Sequence, residues 1–348
     1  MGAATSAIFE RSIRTNTLAI VRTQLTGLIA ATFTPMRADG SLNLSLVPAM
    51  VRHLKDAGVT GLYLCGSTGE GMSLSTAERM ELTEAFVDAC QGELSLIAHV
   101  GHNSIAEAKQ LARHAAKAGV DVVSATAPSY YKISRCETLV DTMTDIAAAA
   151  PDVPFYYYHI PSLTGSTISM TAFMEMAGGK IPNLAGLKYT APMIHEFHAL
   201  QSCCDGRFDV VWGTDEMLLS ALAVGAKGAI GSTYNCKAPL DRKIIKAFDG
   251  NDLEAARELQ LEAIKFIEIV LSYPFHAAMK SVLTRQGVEC GPCRLPLENL
   301  TSEQENRLHA ELDDARISNW LFNTPQKSQP GDAQSVALAG KQQLLAQD

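Results

Sequence analysis

From Leu25 onward, short and continuously apolar runs alternate with longer stretches of amphipathic, helical spacing. A short run that is apolar throughout is typical of a strand buried on both faces, whereas apolar residues at helical spacing indicate a helix packed by one face. The pattern predicts strands over residues 27–33, 61–65, 94–100, 120–125, 153–158, 184–188, 208–212 and 228–230. It predicts helices over residues 44–57, 75–90, 104–118, 137–150, 169–177, 193–203, 216–224 and 240–248.

This regular succession predicts the fold class. Eight strand–helix pairs with continuously apolar strands favour an α/β protein with a closed (β/α)8 TIM barrel. An open doubly wound sheet would show a glycine-rich phosphate turn after its first strand, and the sequence has none there. Amphipathic stretches over 253–271, 275–285 and 303–321 predict a C-terminal helical appendage.

The two ends of the chain depart from the barrel pattern. Residues 1–22 carry arginines among serines and threonines, as transit peptides do, and their first residues also fit an N-myristoylation pattern. We favour a third interpretation, a disordered N-terminal extension. Residues 324–348 are rich in Gln, Ser, Pro and Gly and predict a disordered tail. The barrel is then expected over 23–250 and the C-terminal helices over 251–323.

The composition of the chain argues against several classes of protein. The net charge of −8 and the absence of a basic run argue against nucleic-acid binding. The sequence has no apolar stretch long enough to span a bilayer. Eight scattered cysteines without a secretory signal favour reduced thiols and a cytoplasmic protein. Cys290 and Cys293 have redox spacing but lack a strand-then-helix context, so we interpret them as part of a turn.

Lys188 is the only charged residue of the predicted strand 184–188, and it ends that strand. Chemistry in a barrel of this class is located where strands end and the following loops begin. An amine held in apolar surroundings loses pKa through desolvation, and a neutral amine can form a Schiff base with a carbonyl substrate. The alternative is a lysine that extends from the strand end into solvent.

Other strand ends also carry candidate chemistry. Residues 66–70 combine two glycines with Ser67 and Thr68, so their amides and hydroxyls could converge on an anion, although an ordinary turn would look the same. Strand alternation directs Tyr158 inward, where a phenol could transfer protons. Its tyrosine neighbours could equally reflect packing in a strand.

Polar segments follow the seventh and eighth predicted strands as well. Residues 213–216 end in two carboxylates, which could bind hydroxyl groups or could simply begin the next helix. Residues 231–235 add further hydroxyl and amide groups. His195 and His198 lie three apart on a helix, but no third ligand is apparent, so we expect no metal site. A lysine, a phenol, an anion-binding turn and hydroxyl-binding acids together indicate imine chemistry on a 2-oxo acid.

From about Leu25 to Phe322 the chain resembles the N-acetylneuraminate lyase subgroup of the class I, Schiff-base aldolases, which includes dihydrodipicolinate synthase. Short motifs at the strand ends carry the resemblance: GSTGE at 66–70, YHIP at 158–161, GLK at 186–188, GTDE at 213–216 and GSTYN at 231–235. The resemblance implies that Lys188 forms the imine and that Tyr158 moves the proton of the 4-hydroxyl. Ser67 and Thr68 would hold the carboxylate. The pocket for the hydroxylated tail would be lined by Thr190, Gly213, Asp215, Glu216 and Ser232.

The resemblance further implies a homotetramer in which Tyr130, or the adjacent Tyr131, reaches a neighbouring subunit's site. It implies reversible cleavage of the sialic acid N-acetylneuraminate to N-acetylmannosamine and pyruvate, with no cofactor. Leu163 stands where dihydrodipicolinate synthases usually carry an arginine for a substrate carboxylate, which favours a polyhydroxylated sugar acid. The alternatives are an aldolase for another 2-oxo sugar acid, a pyruvate-condensing synthase, and a non-catalytic sugar-acid-binding barrel.

Overall fold

Eight parallel strands form a closed barrel, in which each strand pairs with the next along the chain and the last pairs with the first. The strands are β1 (Gly27–Ala31), β2 (Gly61–Leu64), β3 (Ser95–His99), β4 (Val122–Thr126), β5 (Phe155–His159), β6 (Leu184–Tyr189), β7 (Asp209–Trp212) and β8 (Gly228–Gly231). The (β/α)8 barrel predicted from the alternating pattern is therefore confirmed.

Helices that follow the strands pack against the outside of the barrel. They are α1 (Val47–Asp56), α2 (Thr76–Cys90), α3 (Ile105–Ala118), α4 (Cys136–Ala147), α5 (Pro161–Thr164), α6 (Met170–Lys180), α7 (Ile194–Ser202), α8 (Leu218–Ala223) and α9 (Tyr234–Asp249). Four further helices come after the last strand–helix pair: α10 (Leu253–Leu271), α11 (Phe275–Arg285), α12 (Ser302–Asp314) and α13 (Ser318–Leu321). Short 3₁₀ helices occur at Leu44–Leu46, Gly71–Ser73, Cys203–Gly206 and Asp215–Met217.

The computed structural model describes residues 24–321 of the chain. The N-terminal extension predicted for 1–22 and the tail predicted for 324–348 lie outside the described residues. Within the described range, no helix is both long and apolar enough to cross a membrane. The predicted C-terminal helices are present as α10 to α13.

Side chains of each strand alternate between the barrel interior and the surrounding helices. The interior cluster includes Ile29, Tyr63, Ile97, Val122, Tyr156, Tyr158, Val211 and Ile230. Tyr157 points the other way and packs on Phe173 of α6, with ring centroids 4.7 Å apart. The barrel centre is thus filled by side chains, as expected for this fold, and β5 directs Tyr158 inward.

Most helix ends differ from the sequence prediction by a few residues, and two of the predicted helices differ by more. The predicted helix 240–248 begins earlier, at Tyr234, because Lys237 leaves the helical conformation (φ −119°, ψ 16°) and so accommodates Pro239. The predicted helix 303–321 is interrupted between α12 and α13, where Arg316 adopts φ 59°. In the first helix a local backbone irregularity lets the helix begin before the proline, and in the second it interrupts a continuous amphipathic pattern.

The C-terminal helices are joined to the barrel by a buried ion pair. Lys280 of α11 donates to Glu70, which follows β2, at 2.7 Å, and their side chains are 3% and 0% exposed. Lys280 also donates to the carbonyl of Pro292, and Glu70 accepts from the Arg294 backbone amide. Glu70 adopts φ 55°, so the turn that contains it is held in a conformation that non-glycine residues seldom adopt.

We expect Glu70→Gln to lower the free energy of unfolding by about 3–5 kcal/mol, because Lys280 would remain buried without its counter-charge. The measurement is chemical denaturation of the purified protein. The matched control is Glu93→Gln, which breaks the exposed Lys55–Glu93 pair and should cost less than about 1 kcal/mol. The combined Glu70→Gln and Lys280→Met variant should lose less stability than Glu70→Gln alone; equal effects of Glu70→Gln and Glu93→Gln would contradict this assignment.

Candidate active site

Lys188 lies in β6 and extends into the barrel interior. It is 4% exposed, and in the strand register it pairs with Tyr158 of β5. Its Nζ lies 4.1 Å from the ring centroid of Tyr63 and 4.0 Å from that of Tyr158. The amine is therefore enclosed by two aromatic rings rather than exposed at the end of the strand.

Burial lowers the pKa of Lys188 to about 7, because the cation has lost its hydration. The negative charge of Asp215 acts in the opposite direction and raises this pKa in part. A substantial fraction of the amine is consequently neutral near pH 7. Neutral amines attack carbonyl carbons, so the geometry and the protonation state both suit a nucleophile.

Tyr158 is buried beside the amine. Burial raises the pKa of its phenol to about 12, and the nearby hydroxyls of Ser67 and Thr190 lower it in part. The phenol is protonated at neutral pH and can donate its proton to a group held in the cavity. His99 packs edge-on against the Tyr158 ring, with centroids 5.9 Å apart, and fixes its orientation from behind.

These side chains open onto a cavity of about 150 Å³ at the carboxyl ends of the strands. The cavity is lined by Ser67, Thr68, Tyr158, Ile160, Lys188, Thr190, Gly213, Ile230, Gly231, Ser232, Phe275 and His276. The structure thus brings together most of the residues proposed from the sequence. Thr68 and Ser232, which follow different strands, meet across it with their hydroxyl oxygens 2.6 Å apart.

The turn of residues 66–71 forms one side of this cavity and is tightly constrained. A Cβ on Gly71 would lie 1.9 Å from the carbonyl oxygen of Cys65, so only glycine fits there. Nε2 of His276 donates to the Ser67 carbonyl at 3.0 Å, which ties the turn to α11. The hydroxyls of Ser67 and Thr68 are therefore held in fixed positions at the cavity wall.

Asp215 and Glu216 are not among the lining residues of the cavity. Asp215 is buried, and its Oδ2 accepts hydrogen bonds from the Thr233 amide at 2.8 Å and from the Thr233 hydroxyl at 2.6 Å. A Cβ on Gly231 would lie 1.9 Å from Asp215 Oδ1, so this glycine lets the carboxylate pack against β8. Glu216 is exposed, and the two belong to a 3₁₀ helix that precedes α8.

The side chain of Tyr130 is largely exposed to solvent. Its side chain is 77% exposed and Tyr131 is 82% exposed, and their rings pack edge-to-face with centroids 5.0 Å apart. The Tyr130 backbone amide donates to Asn103, which anchors the loop at its base. Neither tyrosine lines the cavity that contains Lys188.

A larger cavity of about 330 Å³ adjoins the first and shares Ser67, Ile160 and His276 with it. Its remaining wall includes His99 and Leu163, and Leu163 is 59% exposed. Within residues 24–321, no lysine or arginine lines this second cavity. A ligand that extends from Lys188 into it would meet hydroxyl, imidazole and apolar groups and the Glu70 carboxylate, but no lysine or arginine side chain of the described residues.

Several cavity residues were missed by the sequence interpretation. Tyr63 lies inward in β2, and the strand alternation that directed attention to Tyr158 could also have identified it. Phe275 and His276 come from α11, and nothing in their local sequence indicates a cavity. His195 and His198, for which the sequence offered no third ligand, are exposed on α7. Across the described residues, no group of three or more His, Cys, Asp and Glu side chains could hold a metal ion.

Residues 24–315 match the sequence profile of the Dihydrodipicolinate synthetase family. The chain is similar to the N-acetylneuraminate lyase of Mus musculus, with 37% identity over 303 residues that cover 85% of this chain and 94% of that protein. The chain is also similar to the N-acetylneuraminate lyase of Xenopus tropicalis, with 40% identity over 294 residues that cover 83% of this chain and 96% of that protein. The solved structure of Proteus mirabilis N-acetylneuraminate lyase superposes with a TM-score of 0.83 at 39% identity, covering 86% of this chain and 100% of that one.

We expect imine formation between Lys188 and pyruvate to accelerate as the pH rises through about 7, because only the neutral amine reacts. Asp215→Asn removes the charge that raises this pKa, so the variant should reach its full rate at lower pH than the wild type. The measurement is the initial rate of borohydride-trapped adduct between about pH 5 and about pH 9. A rate that still rises steeply near the ordinary lysine pKa would contradict the desolvated amine.

Proposed function

The chain belongs to the Dihydrodipicolinate synthetase family, and from that membership we propose that it is a carbon–carbon lyase that cleaves N-acetylneuraminate reversibly to N-acetylmannosamine and pyruvate. The observation that carries the proposal is the Lys188 amine, which is buried between two tyrosine rings at a cavity lined by hydroxyl groups. The name shared by the mammalian, amphibian and bacterial relatives supports the same substrate.

The first step is imine formation on Lys188. Its neutral amine attacks the 2-oxo carbon, a proton moves from nitrogen to oxygen, and a carbinolamine results. Tyr158 donates its phenol proton to the carbinolamine hydroxyl, which leaves as water, and an iminium ion and a phenolate remain. The iminium cation lies against the faces of Tyr63 and Tyr158, where aromatic rings stabilise positive charge.

The second step is cleavage of the bond between C3 and C4. The Tyr158 phenolate accepts the proton of the 4-hydroxyl, the bond electrons move into the iminium, and N-acetylmannosamine leaves as an aldehyde. The enamine that remains takes a proton at C3 from Tyr158, which gives an iminium ion and a phenolate. Water then adds to the iminium carbon, the Tyr158 phenolate takes up the proton that is released, and pyruvate and the neutral amine result. The proton removed in one step is thus returned in the next.

The substrate assignment rests on the absence of a second cation at the site. Within the described chain, Lys188 is the only lysine or arginine that lines either cavity, so a second substrate carboxylate finds no charged partner. Thr190, Ser232 and the backbone at Gly213 instead present groups that bind hydroxyls. A polyhydroxylated sugar acid fits this wall, and Asp215 would act on the tail from behind Gly231.

We place the protein in the cytoplasm as a homotetramer. The exposed pair of Tyr130 and Tyr131 supports an intersubunit role, because two adjacent aromatic side chains that are mostly exposed in one subunit gain stability when covered. All eight cysteines are free in the structure, which agrees with a reducing compartment.

The test of the proposed function is borohydride reduction in the presence of pyruvate, followed by mass mapping. We expect one adduct, at Lys188, and release of N-acetylmannosamine and pyruvate from N-acetylneuraminate by the untreated enzyme. Lys188→Ala should abolish both, and the unchanged Lys237, which is also buried but is paired with Asp241, is the internal control that should carry no adduct. An adduct at another lysine would refute the role of Lys188, and preference for aspartate semialdehyde as acceptor would refute the sugar-acid assignment.

Tyr158→Phe retains the ring that packs on the amine and removes only the hydroxyl. We expect the trapped pyruvate adduct to persist while the rate of carbon–carbon cleavage falls by roughly 10²–10⁴, the contribution of a positioned acid–base. Tyr157→Phe is the control, since Tyr157 points away from the barrel interior. Cleavage at a near-normal rate in Tyr158→Phe would show that the Tyr158 hydroxyl does not transfer protons and that the ring serves in packing.

A further inference from the structure

Arg79 carries a buried positive charge that the reaction steps above do not use. It lies in α2, which begins at a capping box formed by Ser75 and Glu78, shortly after the 66–71 turn. The side chain is 1% exposed. Arginine is seldom buried to this degree unless it is paired with a carboxylate or serves a ligand.

No carboxylate of residues 24–321 lies within ion-pair distance of Arg79. Its Nη1 donates to the carbonyl of Gly101 at 2.9 Å, and its Nη2 donates to the carbonyl of His99 at 2.5 Å. These two backbone oxygens are neutral. These hydrogen bonds occupy Nη1 and Nη2, whereas the buried Nε has no partner among the described residues, and the charge of the guanidinium remains uncompensated.

The titratable groups around Arg79 are also neutral. Burial raises the pKa of the Cys65 thiol, and it raises the pKa of the Tyr63 phenol well above its usual value. Burial lowers the pKa of His99 well below its usual value, and the charge of Arg79 adds to that effect. None of them supplies a negative charge near pH 7, so the protein buries this cation without a counter-ion of its own.

The guanidinium of Arg79 is hydrogen-bonded to the backbone of His99, and the His99 ring lies directly behind the candidate site. Its ring packs against Tyr158 and against Tyr63, with centroids 5.9 Å and 6.1 Å away. Its Nδ1 donates to the carbonyl of Cys65, the residue before the 66–71 turn, at 3.1 Å. His99 also lines the larger cavity together with Ser67. The guanidinium therefore lies behind the wall that carries the Ser67 hydroxyl.

We propose that Arg79 is a positioning residue whose buried charge draws the carboxylate of the 2-oxo acid toward the 66–71 turn. The substrate carboxylate supplies the counter-charge that the protein lacks. Hydroxyls of Ser67 and Thr68 then fix its orientation, while the long-range attraction selects anions over neutral ketones. This inference rests on the proposed function, because it assigns a role in binding the same substrate.

The test compares pyruvate with methyl pyruvate, a neutral ester with the same carbon skeleton and reactive carbonyl. Arg79→Gln retains an amide donor for the backbone carbonyls but removes the charge. We expect this variant to bind pyruvate roughly tenfold more weakly while its affinity for methyl pyruvate changes little. Affinities are read from the concentration dependence of borohydride trapping at Lys188.

Arg79→Lys is the matched control, because it keeps the charge and loses the guanidinium fork. We expect its preference for pyruvate over the ester to stay within about threefold of the wild-type preference. Equal weakening of both ligands, or of neither, in Arg79→Gln would show a packing role and overturn the proposal. If Arg79→Gln does not fold, a lost preference in Arg79→Lys overturns it and a retained preference supports it.

The outcome is separable from the proposed function. If the wild-type protein traps pyruvate and Arg79→Gln keeps the wild-type preference for pyruvate over the ester, this inference alone is refuted. A wild-type protein that traps no pyruvate would refute the proposed function, and this inference with it.

Discussion

The burial of one amine inside a closed barrel is the constraint on which the site depends. The side chains that fill the barrel leave Lys188 only 4% exposed, so its cation loses much of the hydration that it would have in solution. Two tyrosine rings flank it, and among residues 24–321 no carboxylate forms an ion pair with it. The fold therefore supplies reactivity through exclusion of water: the same packing that stabilises the interior keeps the amine partly neutral.

The cavity is flanked by charges of opposite sign that lie behind its walls. Arg79 lies behind His99 on the side of the 66–71 turn, and Asp215 lies behind Gly231 on the side of β8. Under the proposed function, these two charges would favour one orientation of an elongated anion, with its carboxylate toward the arginine and its hydroxyl donors toward the aspartate. Neither side chain lines either cavity, so direct contacts with the ligand would fall to hydroxyls and backbone groups.

The sequence was sufficient to predict the barrel, because parallel strands buried on both faces are mostly apolar and glycines or helix caps separate them from the helices. It also predicted that Lys188 and Tyr158 lie at strand ends, since strand alternation is a local property. It could not predict Phe275 and His276, whose place in the cavity depends on the docking of α11. The carboxylate of Asp215 follows a strand as expected, yet its position behind β8 depends on a glycine in a different strand.

The tie between the turn after β2 and α11 has a consequence for the chain as it is being made. When all eight strands have been synthesised, the turn still lacks His276 and Lys280, so its hydroxyls have no fixed position. A chain that ends before α11 therefore carries Lys188 without a fixed turn beside it. The cavity wall is complete only when α11 adds Phe275 and His276 to it.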